Sequence, residues 1–140
     1  MGTKAVKYVL VRPAERRAET AEFASVQEAQ VAVGLDPKAV DHGSLGEGHG
    51  ITVYEYSLMQ PVADQHLFSI GNRLYAGNAV IYAEADGSLV DARVPRIKWY
   101  ANLEEVWEAI QQGDVIQPAV RVNGDVLWLW PDSKPTAMFG

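Results

Sequence analysis

Two dipeptides constrain this chain more than anything else in it: Asp86-Gly87 and Asn123-Gly124. Both central residues of a type I′ hairpin turn need positive φ, which Asn, Asp and Gly reach at least cost. Each dipeptide stands between runs of β-formers, residues 75 or 78 to 85 and 88–94 around the first, 118–122 and 125–130 around the second. The chain is thereby committed to antiparallel hairpins. Further strand patterns precede them. Residues 4–13 set Val6, Tyr8 and Leu10 against Lys7, Val9 and Val11 before Pro13 ends the ladder, and a short run at 18–23 follows. Residues 38–45 are weakly strand-like, Gly46-Glu47-Gly48-His49-Gly50 is a turn, and ITVYEYSLM at 51–59 is the strongest strand signal. Residues 60–72 read as irregular.

Two helices interrupt the strands. Ser25-Val26-Gln27-Glu28 is a capping box, and the helix it starts runs through Ala29, Val31 and Ala32 to Gly34. Asn102-Leu103-Glu104-Glu105 repeats the arrangement, with Leu103, Val106, Trp107 and Ile110 on one helical face and Gly113 at the end. The expected fold class is α+β: a mixed, mostly antiparallel β-sheet with two short helices packed on it and hairpins at 86–87 and 123–124. At 140 residues the chain fits a single domain. All four Trp lie in residues 99–130, which suggests two lobes, 1–94 and 96–140, meeting near Pro95.

Composition narrows the functional classes. Without Cys there is no disulfide, no thiolate nucleophile and no zinc–thiolate site. No apolar run approaches the roughly 18 residues of a membrane span, and the N-terminal apolar run is too short for a signal sequence, so a cytoplasmic location and no membrane partner are expected. Net charge is −6, unevenly spread. Lys4, Lys7, Arg12, Arg16 and Arg17 make the first 17 residues basic, and Arg93, Arg96 and Lys98 form a second basic segment within an otherwise acidic chain. That balance argues against direct nucleic-acid binding, while two converging basic segments would suit a compact anion.

Several constellations carry candidate chemistry. Asn72, Arg73, Tyr75 and Asn78 concentrate amide and guanidinium donors near glycines, a pattern able to clamp a carboxylate or phosphate; the alternative is Arg73 paired with a nearby acid and Asn78 turning the chain. Arg96, Lys98, Trp99 and Tyr100 interleave bases and aromatics, as a nucleobase-and-phosphate site would. Strand alternation puts Arg96 and Lys98 on one face and Ile97 and Trp99 on the other, the arrangement of a core Trp beside solvated bases. Trp128 and Trp130 share a face of a final strand whose other face is also apolar, so the strand is either sandwiched or exposed at a homo-oligomer interface. The loop bearing Asp41, His42, Glu47 and His49 lacks standard metal-ligand spacing, and no metal is assigned to it. Gly46-x-Gly48-x-Gly50 precedes a strand rather than a helix, so it is a hairpin turn and not a phosphate cradle. Nucleophile-elbow, zinc-protease, Walker and dinucleotide motifs are absent from the sequence, and no catalytic residue or cofactor is assigned.

The segments YVLVRPAE, SVQEAQVAVG, ITVYEYS, SIGNRL and GNAVIYAEADG, between Lys7 and about Val94, resemble the small uncharacterised accessory proteins of bacteriophages and plasmids. The resemblance covers roughly two-thirds of the chain and leaves the part from Arg96 onward outside it. It implies a mobile-element accessory or counter-defence protein with a mixed sheet and one packed helix. Such a protein works by blocking a host protein or sequestering a small anionic, nucleotide-like ligand. Two rival readings stand beside this non-enzymatic binding protein. One is a small enzyme acting on a nucleotide-like substrate. The other is an acidic DNA mimic acting as an inhibitor, for which −6 is a modest charge.

Overall fold

A computed structural model of the protein describes residues 4–55, 66–115, 119–123 and 125–128. Its first sheet is built around β1 (Val6–Arg12), whose residues are buried on both faces. Val6, Tyr8 and Leu10 point to one core and Val9 and Val11 to another. β1 folds back through a 3-10 turn at Pro13–Glu15 into the edge strand β2 (Arg17–Phe23). Arg16 takes the left-handed conformation at that turn (φ 49°). Helix α1 (Val26–Ala32) follows. The Ser25 hydroxyl accepts from Glu28 N–H at 3.2 Å, and the Glu28 carboxylate accepts from Ala24 N–H at 2.9 Å, so one orphan amide of the helix start and the amide just before the cap are satisfied reciprocally.

β3 (Val40–Gly46) and β4 (His49–Tyr54) form a hairpin with a bulge at Ser44–Gly46. Its turn residues Glu47 and Gly48 have φ of 52° and 75°, a type I′ geometry. The chain later returns as β7 (Ala79–Ala85), which inserts between β1 and β4 and turns through Asp86 (φ 53°) and Gly87 (φ 79°) into β8 (Ser88–Val90). The path across this sheet is β2-β1-β7-β4-β3, with β8 extending along β7 beyond the end of β1.

A second, three-stranded sheet has the order β6-β5-β9, from β5 (Leu67–Ile70), β6 (Arg73–Ala76) and β9 (Lys98–Trp99). Helix α2 (Leu103–Gln111) packs on it, with Asn102 Oδ1 accepting from Glu105 N–H at 3.0 Å. A third pairing joins β10 (Ala119–Val122) to β11 (Asp125–Trp128). Asn123 in that turn has φ 51°, while Gly124, the Trp128 side chain and Trp130 lie outside the described residues. Every strand pair among the described residues is antiparallel, and the fold class is α+β, mostly antiparallel sheet with two short helices.

Three apolar clusters stack these elements into four layers. α1 covers Tyr8, Leu10 and Val80 on the outer face of the first sheet. Val9, Ile51 and Ile81 on its inner face meet Phe68 of the second sheet, with Tyr75 and Trp99 against them. Leu67, Leu74 and Tyr100 on the second sheet's other face meet Val106 and Ala109 of α2.

Three readings of the sequence are corrected by this arrangement. The stretch taken as irregular contains strand β5, because both its faces are covered and Leu67-Phe68-Ser69-Ile70 therefore shows no clean polar alternation. Of the two starts expected for the strand ending at Ala85, Asn78 lies one residue before β7, whereas Tyr75 belongs to β6 in the other sheet, separated from β7 by Gly77 at φ 80°. The partner of β7 ends at Val90 rather than Val94. Beyond it Asp91 leaves the ladder, its carboxylate accepting from Lys7 N–H at 2.9 Å, and Ala92 N–H donates to Lys7 O. Among the described residues no helix is long and apolar enough to cross a membrane.

Candidate functional site

The second sheet opens a cavity of about 640 Å³, lined by Ser69, Gly71, Arg96, Lys98, Tyr100 and Asp114. Register builds it. Ser69 lies opposite Lys98 across β5 and β9, and Tyr100 N–H donates to Leu67 O at 3.2 Å, which carries the pairing one residue past β9. Residues 96, 98 and 100 thus share a strand face. Gly71 enters from the β5–β6 turn in the left-handed conformation (φ 62°). Gly113 (φ 79°) closes α2, and Asp114 N–H donates to Ala109 O at 2.9 Å, which brings the Asp114 carboxylate to the rim.

Within the cavity, Tyr100 is buried and its hydroxyl lies 3.0 Å from the Ser69 hydroxyl, a mutual hydrogen bond that fixes both side chains. The Lys98 ammonium stands 5.3 Å from the centroid of the Tyr100 ring. Arg96 and Lys98 are exposed, and among the described residues neither has an ion-pair partner. The rim therefore offers two cations and one carboxylate around an aromatic wall.

The residues singled out from the sequence are divided by the sheet. Arg96 and Lys98 come together on the cavity face. Trp99 turns to the inter-sheet core, its ring 5.9 Å from that of Phe68. Tyr75 also faces that core, stacked on Phe68 with centroids 5.5 Å apart, and burial pushes its phenol pKa upward, partly opposed by the Arg73 charge. Arg73 sits opposite Ile70 and so on the same side as Tyr75, away from Lys98, at an exposed strand end beside exposed Asn72. Asn78 donates from Nδ2 to Val33 O at 2.9 Å, tying the start of β7 to the end of α1. Tyr100, the last residue of the Arg96-x-Lys98-Trp99-Tyr100 motif, joins Arg96 and Lys98 at the cavity. Ser69, Gly71 and Asp114 were not singled out from the sequence and carry no local signal.

A second concavity, about 460 Å³, lies on the outer face of the first sheet, where α1 leaves it open. His42, Ser44, Gly50, Tyr82, Glu84 and Asp86 are among its lining residues. His42 stands edge-on to Tyr82, centroids 6.3 Å apart. Burial raises the Tyr82 phenol pKa and the Glu84 charge raises it further. His49 serves the backbone on both ring nitrogens: Nε2 accepts from Arg93 N–H at 3.1 Å, so Nδ1 carries the proton and donates to Glu47 O at 2.9 Å. Both nitrogens are thereby engaged in holding the 91–97 connection against the hairpin. Among the described residues no three His, Asp or Glu side chains converge as metal ligands.

Comparison with protein-family models, with curated proteins and with solved structures finds no match to this chain.

Proposed function

We propose that the protein is a non-enzymatic binding protein that captures a small anionic, nucleotide-like ligand in the cavity beside Tyr100. The observation that carries this reading is the pairing of two cations without an ion pair among the described residues, Arg96 and Lys98, with one aromatic wall in a single cavity. A guanidinium fork and an ammonium recognise phosphate oxygens by charge-assisted hydrogen bonds, and the Tyr100 ring offers an apolar wall to a base or sugar. The Ser69 hydroxyl is engaged by Tyr100, which favours a positioning role over a nucleophilic one. Capture of this kind suits sequestration of a ligand, the activity expected of a mobile-element accessory protein.

Calorimetric titration of the full chain with AMP, ADP and inorganic pyrophosphate tests the reading. Binding that tightens with phosphate number is expected. Arg96→Ala and Lys98→Ala should each weaken it about ten- to a hundredfold, the loss of one charged hydrogen bond of roughly 1.5–3 kcal/mol. Asp114→Asn, which removes the carboxylate from the rim, should strengthen it. Anion binding that ignores all three substitutions would assign the ligand elsewhere.

A further inference from the structure

The two edges of the first sheet differ. β2 presents Arg17, Glu19 and Glu22, and Arg17 pairs with Glu15 and Glu19 while Arg12 reaches Glu19 at 3.2 Å. Charges of this kind blunt an edge against further pairing. β3, at the other edge, carries a single charge, Asp41, has Gly43 and Ser44 at its centre ahead of the bulge, and contains no Lys, Arg or Pro. Glu55 N–H donates to Ala39 O at 3.0 Å, and the register continues 41 with 53 and 43 with 51. The alternation of an antiparallel ladder then turns the backbone N–H and C=O of Val40, His42 and Ser44 outward. Among the described residues no strand pairs with that row.

Beside this edge lies the open concavity. Ser44 is opposite Gly50, and Gly50 is opposite Tyr82, so one file of residues leads from the edge to β7. The file is unobstructed because Ser44 is small and Gly50 has no side chain. The Tyr82 ring leans into the vacant space, where a Cβ on Gly50 would lie 2.4 Å from Tyr82 Cζ. Glu84 and Asp86 supply the carboxylates at the far end, and among the described residues no Lys or Arg lines the concavity.

We propose that the β3 edge accepts an extended basic peptide segment as an added strand, with one of its Lys or Arg side chains reaching across Ser44 to the Tyr82 ring and the Glu84 carboxylate. The outward backbone row specifies a strand as the occupant, since only another backbone offers donors and acceptors at the same repeat. Charge specifies the side chain: a cation is complementary to two carboxylates and an aromatic face. An added strand would stand three spacings of about 4.8 Å from β7, and the lean of Tyr82 over β4 shortens that gap to the reach of a long basic side chain. A second copy of the chain is the poorer occupant, because β3-to-β3 pairing brings two acidic concavities of like charge together. This surface is separate from the cavity beside Tyr100 and stands whether or not that cavity binds an anion.

Hydrogen-exchange NMR on the full chain tests the proposal, with acetyl-Thr-Arg-Val-Arg-Thr-amide as the probe and its Arg→Glu counterpart as the control. At saturating basic peptide the amides of Val40, His42 and Ser44 should gain about tenfold or more protection, and affinity should fall as salt rises. The acidic control should do neither. Glu84→Gln combined with Asp86→Asn, two exposed changes that leave the fold intact, should weaken binding about tenfold by removing both charged partners. His42→Pro, which deletes one outward N–H without touching the β4 side, should abolish the protection. Equal binding of the two peptides, binding without protection at β3, or protection that appears with protein concentration alone would each overturn it.

Discussion

Gly50 and Tyr82 occupy one volume between them. A Cβ at Gly50 would lie 2.4 Å from the Tyr82 ring, a contact that the buried strand β4 cannot relieve without moving the phenol. Gly50→Ala is therefore expected to push the half-buried Tyr82 ring off its rotamer toward the open concavity, at a cost of about 0.5–1.5 kcal/mol. In a Tyr82→Ala background the same change should cost much less, and comparing the two denaturant midpoints measures the coupling. Tyr75 makes a second prediction at this scale. Burial against Phe68 raises its phenol pKa, so folding disfavours the phenolate. Its stabilising contribution is complete below the unfolded-state pKa and is lost as pH rises through the folded-state value. Tyr75→Phe should accordingly flatten the alkaline limb of the stability profile and leave neutral pH stability nearly unchanged. Neither neighbour could be read from the sequence, since the pairs Gly50–Tyr82 and Phe68–Tyr75 arise from register across strands.

Elements were legible to the extent that local chemistry encodes them. Both helix starts follow from Ser25-x-x-Glu28 and Asn102-x-x-Glu105, and both turns at Asp86 and Asn123 take the positive φ that their residue types favour. If each cap satisfies an otherwise orphan amide, Ser25→Ala and Asn102→Ala should each lose about 1 kcal/mol. The helices pack on different sheets, so the double variant should show the sum, and a melting curve unchanged by either would misplace the cap. The elements that escaped notice are β5 and β6 of the second sheet, while β9 showed only as an alternation over residues 96–99. β5 is covered on both sides, β9 has two residues, and β6 was absorbed into its neighbour. β5 and β6 form a tight hairpin around Gly71 and Asn72, while β9 pairs with β5 from far along the chain, and a period of two cannot be detected over two to four residues. The cavity was half legible for the same reason: Arg96 and Lys98 show on one strand, while Gly71 and Asp114 arrive through a turn and a helix end.

At the scale of the whole molecule, the two sheets meet through Phe68. Its ring is fully buried, stacked on Tyr75 and tilted against Trp99, with Ile51 and Ile81 of the first sheet in the same cluster. It is also the residue next to Ser69, whose hydroxyl holds Tyr100 at the cavity wall. One face of β5 thus joins the layers and the other builds the site. Phe68→Ala should cost about 3–5 kcal/mol through lost burial and the cavity left behind. Trp99 emission should shift to the red as its ring loses that neighbour, and anion binding at Lys98 should weaken with it, because Lys98 and Trp99 are held by pairing to Ser69 and Phe68. Arg96→Ala offers the opposite signature: an exposed side chain without an ion pair among the described residues should change stability by less than about 0.5 kcal/mol while removing a ligand contact. Phe68→Leu keeps most of the apolar volume, so it should restore stability, Trp99 emission and anion affinity together. If stability returned without affinity, packing at Phe68 and geometry at Lys98 would be independent, and the second sheet would not be the scaffold that couples core to site.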